Sequence, residues 1–219
     1  MNTEGRRAPT FAAYAGMDLL GRGIKKGFPA GECVGGSEKN STARLLFKRH
    51  YGFEPFRDQQ LVPDYAYDKL FLLTATAPCI AFSSAGRQQG QSDKRGHGLH
   101  YVNQVDPFIQ AQVPVILFEQ VPEANFILEG DYRAGHLRKS PQAQLVGRLR
   151  AGGYKVPDED GNTEVAEDEA NAGIVLNAAE HGGLLDRKRL FTLAIRSDLW
   201  EHTNATEWFK WPSKKRTER

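Results

Sequence analysis

Along its 219 residues the chain alternates short apolar runs with longer stretches of helical pattern, and this alternation is what most limits its fold. Thr10 to Ala15, Glu32 to Gly36, Tyr67 to Ala75, Val113 to Phe118 and Leu190 to Ile195 read as strands. Between them, Ser41 to His50 has a cap-like start followed by Leu45, Leu46 and Phe47. Ser140 then Pro141 opens a second helix through Gln142 to Arg150, and Gly152 and Gly153 close it. Strands that alternate with helices imply an α/β fold, a mostly parallel sheet with helices on both faces.

The length suits one substantial core, and 40% hydrophobic with 26% charged residues suits a globular domain, so 1–219 is expected to be a single domain. Two segments break the pattern. Residues 157–171 hold seven acids and few apolar side chains, which predicts a solvated insertion. Gly86 to Gly98 sets four glycines among Arg87, Lys94 and Arg95, which predicts a mobile basic loop. Residues 197–219 form an aromatic and basic C-terminal tail, with Trp208, Phe209 and Trp211 ahead of Lys214, Lys215, Arg216 and Arg219.

A net charge of +2 gives no strong global field, so any contact with nucleic acid must rest on local patches. Only Cys33 and Cys79 are present, which argues against a disulfide scaffold. With no apolar run of membrane length and no signal-peptide core, the expected location is the cytoplasm.

Cys79 is where chemistry enters. It follows an apolar strand in a turn bounded by Pro78 and Gly86, at the end of the sheet where α/β folds place ligands. The segment Pro78-Cys79-Ile80-Ala81-Phe82-Ser83-Ser84-Ala85-Gly86 resembles the Pro-Cys-Gln-x-Phe-Ser-x-x-Gly signature of the cytosine-C5 DNA methyltransferases. Ser92-Asp93-Lys94-Arg95-Gly96 resembles that family's active-site loop, and Phe118-Glu119-Gln120-Val121-Pro122 its Glu-Asn-Val motif. Arg187-Lys188-Arg189, after Asn177-Ala178-Ala179-Glu180-His181-Gly182, resembles its Arg-x-Arg motif. Upstream, Phe11 to Gly16 is similar to the first strand and its cofactor turn, with Glu38 and Asp58 where two cofactor-binding acids fall.

The resemblance implies a Rossmann-like methyltransferase fold, S-adenosylmethionine as cofactor and DNA as partner. It also implies roles for residues. Cys79 is the covalent nucleophile, Glu119 the acid that meets the base edge, and Arg187 and Arg189 the groups that hold the cytosine carbonyl. Tyr14, Gly16, Glu38, Asp58 and Pro78 belong to the cofactor site. Ser83, Arg87, Lys94 and Arg95 are the candidate DNA contacts, since a base inside a duplex must be flipped out to react and phosphate contacts hold the backbone meanwhile. No metal is implied.

Several positions depart from the family pattern. The cofactor turn reads Met17-Asp18-Leu19-Leu20-Gly21 instead of being glycine-rich, Ala77 and Ile80 flank the Pro-Cys pair, Gln120 stands for Asn, and Leu184-Leu185 for Pro-Gln. Family members continue past the arginine motif into a target-recognition region and two last motifs, whereas here about twenty residues follow Arg196. A second subunit carrying target recognition is therefore expected. Two other readings stay open: a weak or inactive regulatory DNA-binding protein, and an enzyme acting on RNA, a nucleotide or a modified cytosine.

Overall fold

The computed structural model describes residues 7–17, 19–57, 69–84, 88–128, 139–163 and 172–213. They fall into two compact units, the first holding 7–76 and 111–117, the second 77–110 and 118–213.

In the first unit, strand β1 (Ala8–Ala13) lies between β2 (Gly31–Gly36) and β3 (Leu72–Ala75). Both pairings are parallel, with Ala12 opposite Gly36 and Ala13 opposite Ala75. Helix α1 (Leu19–Gly27) joins β1 to β2, and α2 (Ser41–Tyr51) follows β2. The N-cap of α2 is Asn40, one residue before the expected start, and its side chain accepts from Ala43 N–H. Gly52 ends the helix in the left-handed conformation that favours glycine, donating to Lys48 C=O. Fully buried Phe47 anchors α2 on Ala12 and Ala15. Gly36 makes this possible, because a Cβ there would meet the Phe47 ring at 2.7 Å.

Strand β4 (Val115–Gln120) starts in the first unit and ends in the second. Its side chains alternate, with Ile116, Phe118 and Gln120 buried and Glu119 on the other face. The strand runs two residues beyond the predicted Phe118, so Glu119 projects from regular β structure.

The second unit contains helices α3 (His97–Asn103), α4 (Asp106–Gln110) and α5 (Pro141–Ala151) and strands β5 (Tyr154–Lys155), β6 (Ile174–Asn177) and β7 (Lys188–Arg196). Helix α5 starts as expected, with the Ser140 side chain accepting from Ala143 N–H and Pro141 in the first turn. Strands β5 and β6 both pair antiparallel with β7. The seven described strands therefore make a mixed set, parallel where strands alternate with helices and antiparallel toward the C-terminus.

Two segments with irregular sequences have definite structure. Residues 88–98, within the glycine-rich stretch, form a 3-10 turn at Gly90–Ser92 and the start of α3. Gly98 packs directly on the backbone of Gly90, leaving no room for a Cβ. Near the C-terminus come α6 (Ser197–His202) and α7 (Ala205–Trp208). Beyond them Phe209 packs on Trp200 and Trp211 on Phe209, with ring centroids 5.6 and 5.2 Å apart. The Trp211 indole donates to Asp158 C=O at 2.6 Å, so aromatic side chains tie this segment to the start of the acidic stretch. Residues 164–171 and 214–219 lie outside the described set.

Candidate active site

The proposed cofactor residues of the first unit meet at the end of β1. Tyr14 leaves the strand at φ 57°, a left-handed conformation that is uncommon outside glycine, and Gly16 repeats it at φ 53°. Three bonds hold this bend. Thr76 Oγ1 donates to Tyr14 C=O at 2.7 Å, Ala15 N–H donates to Ser37 C=O at 2.9 Å, and Tyr14 N–H reaches the buried Ser37 hydroxyl at 3.4 Å. Glu38, only 8% exposed, closes the turn. Its Oε2 accepts from Gly16 N–H at 2.8 Å and its Oε1 from Asn40 N–H at 2.6 Å.

These residues suit a nucleoside ligand. A carboxylate oxygen has two lone pairs, so each Glu38 oxygen keeps an acceptor position for a hydroxyl. Among the described residues no heavy atom outside the local chain lies within 4 Å of where a Gly16 Cβ would stand, which leaves the backbone there open to close approach. Asp58 lies outside the described residues.

The proposed catalytic residues belong to the second unit. Pro78 precedes a 3-10 turn, Cys79–Ala81, whose first residue is the half-buried Cys79. The Cys79 carbonyl accepts from Phe82 N–H at 2.9 Å and Ser83 N–H at 2.8 Å. Buried Ala81 and Phe82 anchor the turn from below. Gln120 adds a tie that sequence reading did not assign, its Nε2 donating to Ala77 C=O at 3.4 Å and its Oε1 accepting from Val121 N–H at 3.0 Å. Gln120 thus connects the Cys79 turn to the strand that carries Glu119.

Glu119, Arg187 and Arg189 come together although about seventy residues separate them in sequence. Arg189 Nε lies 2.9 Å from Glu119 Oε1, and Arg187 Nη2 is 3.9 Å from the same oxygen. Glu119 and Arg189 are mostly buried, while Arg187 is 58% exposed and has room to turn toward a ligand. Asn177 sets the start of β7, its Oδ1 accepting from Arg187 N–H at 3.1 Å and its Nδ2 donating to Asp186 at 2.8 Å.

Of the candidate DNA contacts, Ser83 is partly buried and Lys94 exposed. Arg95 Nε is bonded to buried Asp93 at 3.0 Å, leaving the outer guanidinium nitrogens to point away from that bond. Arg87 lies outside the described residues. Among the described residues no cluster of His, Cys, Asp and Glu could hold a metal ion, and no helix is long and apolar enough to cross a membrane.

Beneath this cluster runs a polar chain that the motifs did not reveal. Tyr101 is fully buried and its hydroxyl donates to Gln142 Oε1 at 2.7 Å. Gln142 Nε2 donates to Thr192 Oγ1 at 2.7 Å and to Ala172 C=O at 3.0 Å. Burial, and secondarily the Glu119 carboxylate, push the Tyr101 phenol far above its ordinary range and keep it neutral. The signal in the sequence is a polar residue on an apolar face: Gln142 beside Leu145, Val146 and Leu149, and Thr192 between Leu190 and Ala194.

The chain is similar to known proteins over most of its length. The type II methyltransferase M.HhaI of Haemophilus parahaemolyticus is 25% identical over 175 residues, 77% of this chain and 43% of that protein. Three solved structures share the fold. Dnmt2 methyltransferase of S. pombe has a TM-score of 0.57 at 14% identity, covering 87% of this chain and 50% of that one. A DNMT2 mutant of Spodoptera frugiperda has 0.55 at 18%, covering 96% and 54%. The methyltransferase EhMeth of Entamoeba histolytica has 0.58 at 11%, covering 86% and 53%. The chain spans about half the length of these relatives. Its fold is thus the Rossmann-like fold of S-adenosylmethionine-dependent methyltransferases. Because the family model for C-5 cytosine-specific DNA methylases matches residues 9–219, the chain belongs to that family.

Proposed function

We propose that this chain methylates C5 of cytosine in DNA, using S-adenosylmethionine and a covalent Cys79 adduct at C6, together with a second polypeptide that supplies target recognition. The observation that carries the reading is the Glu119–Arg189–Arg187 cluster in the unit that holds the Cys79 turn. An acid held between two cations has the chemistry needed at the N3 and O2 edge of a pyrimidine. Only two cysteines are present, neither in a disulfide, which suits work in the reducing cytoplasm.

Tyr14, Gly16, Glu38, Asp58 and Pro78 would hold the cofactor, Glu38 by accepting from ribose hydroxyls. When bound, S-adenosylmethionine supplies an electrophilic methyl group. The Cys79 thiolate forms a bond to C6 and drives the C5–C6 π electrons onto C5, making that carbon nucleophilic. Glu119 holds a proton at N3 and offsets the negative charge that develops on the ring. Arg187 and Arg189 donate to the carbonyl at C2. Once C5 carries the methyl group, loss of its proton restores the C5–C6 double bond and expels the thiolate. Ser83, Arg87, Lys94 and Arg95 contact phosphates near the flipped base.

Labelled S-adenosylmethionine with duplex DNA, single-stranded DNA and RNA tests the reading, alone and with candidate partner chains. Transfer to DNA that Cys79→Ser abolishes, with a stable adduct on 5-fluorocytosine DNA, is the expected result. Transfer only to RNA would move the substrate, and cofactor binding without transfer to any of these would leave a regulatory protein.

A further inference from the structure

We propose that the buried Tyr101–Gln142–Thr192 chain is a positioning device, which sets the register of β7 and thereby the place of Arg187 and Arg189 relative to Glu119. This inference rests on the reading of the site given above.

The amide of Gln142 has one orientation available. A backbone carbonyl can only accept, so the bond to Ala172 C=O places Nε2 on that side, and Thr192 Oγ1 takes the second N–H. Oε1 must then accept, and Tyr101 must donate. Every polar group of the fully buried Gln142 side chain is used.

A strand presents its side chains with a period of two, so a slip of one residue is excluded by the apolar pattern alone. A slip of two is not. Leu190, Thr192 and Ala194 all face the buried side of β7, and a two-residue shift would keep that face largely apolar. What such a shift cannot keep is the partner of Gln142, since Leu190 or Ala194 would replace the hydroxyl and leave an N–H buried without an acceptor. A buried donor left in that way is strongly disfavoured. Because a two-residue step moves a side chain roughly 7 Å, Arg189 would leave the 2.9 Å contact with Glu119.

The other end of the chain reaches the nucleophile. The Tyr101 ring packs edge-on against Phe82, centroids 5.5 Å apart, and Phe82 N–H donates to the Cys79 carbonyl. A ring contact and a set of hydrogen bonds therefore link the turn beneath Cys79 to the strand that carries Arg189 and follows directly on Arg187.

The test uses Thr192→Val, Thr192→Ser, Tyr101→Phe and the triple variant Tyr101→Phe/Gln142→Met/Thr192→Val in the full chain. Single-turnover formation of the Cys79 adduct on 5-fluorocytosine DNA is measured below each melting temperature, with hydrogen exchange of 188–196. Thr192→Val and Tyr101→Phe are expected to slow adduct formation at least tenfold, with DNA and S-adenosylmethionine affinities unchanged. Thr192→Ser should keep the wild-type rate. The triple variant, which leaves no orphaned polar group, should regain melting temperature without regaining rate. Wild-type rates in the Val and Phe variants, or a triple variant that regains both, would overturn the proposal. If the wild type forms no adduct either alone or with candidate partner chains, the functional reading fails and exchange decides alone. Exchange across β7 at least tenfold faster in Thr192→Val supports the register role, and unchanged exchange refutes it.

Discussion

Arg189 Nε and Glu119 Oε1 stand 2.9 Å apart, and Arg187 reaches the same oxygen from 3.9 Å, so one carboxylate oxygen faces two guanidinium groups. Glu119→Gln keeps the shape and removes the charge. Methyl transfer should fall about 100- to 10,000-fold, the range for a lost acid–base group. Thermal stability should move by about 1 kcal/mol or less, since partly exposed ion pairs contribute little. Circular dichroism melts beside initial rates check both; a large stability loss with retained rate would contradict the assignment.

Glu38 is expected to matter to both folding and ligand. Glu38→Ala leaves Gly16 N–H and Asn40 N–H without their acceptor, at a cost of about 1–3 kcal/mol for each group that stays dry. Calorimetric titration with S-adenosylmethionine should show binding lost or weakened at least tenfold. Unchanged affinity would remove Glu38 from the cofactor site.

A simpler forecast concerns Ser140, whose hydroxyl caps α5. Ser140→Ala should cost about 1 kcal/mol in urea unfolding, while Ser140→Asp should retain most of the stability.

Tyr154 gives a pH signature. Burial pushes its phenol up to about 12, with Arg196 opposing and Asp198 adding to the shift. A group whose pKa is raised in the folded protein lends its stability fully below the unfolded value near 10 and loses it as pH climbs toward 12. Melting temperature should therefore drop between pH 10 and 12. In Tyr154→Phe that part of the drop should disappear.

Gly98→Ala places a methyl group against the Gly90 carbonyl. Overpacking of this kind costs about 1–3 kcal/mol. Gly96→Ala, at φ 77° with open space around it, should be milder because only backbone strain is added. Denaturant midpoints of the two variants separate close packing from backbone conformation.

Local pattern made much of the fold legible. β1, β2, β4 and β7 carry apolar runs, and Ser140-Pro141 followed by Gly152-Gly153 marks α5 at both ends. Cys79, Glu119, Arg187 and Arg189 were singled out through motifs, and the structure brings Glu119, Arg187 and Arg189 together. Gln142 and Thr192 were not, since a polar residue on an apolar face acquires meaning only when its partner from another element is known. Strand β6 escaped notice because four residues, none fully buried, carry too little pattern. Trp200, Phe209 and Trp211 follow no helical or strand period, so their mutual packing is a tertiary fact.

The grip on Glu38 has a consequence for the tempo of binding. A carboxylate held at both oxygens by backbone amides has already surrendered its torsional freedom before any ligand arrives. Little ordering of that side chain remains to slow encounter or subtract from affinity. Association at this corner should be fast, and tightness should be set by how slowly the ligand leaves.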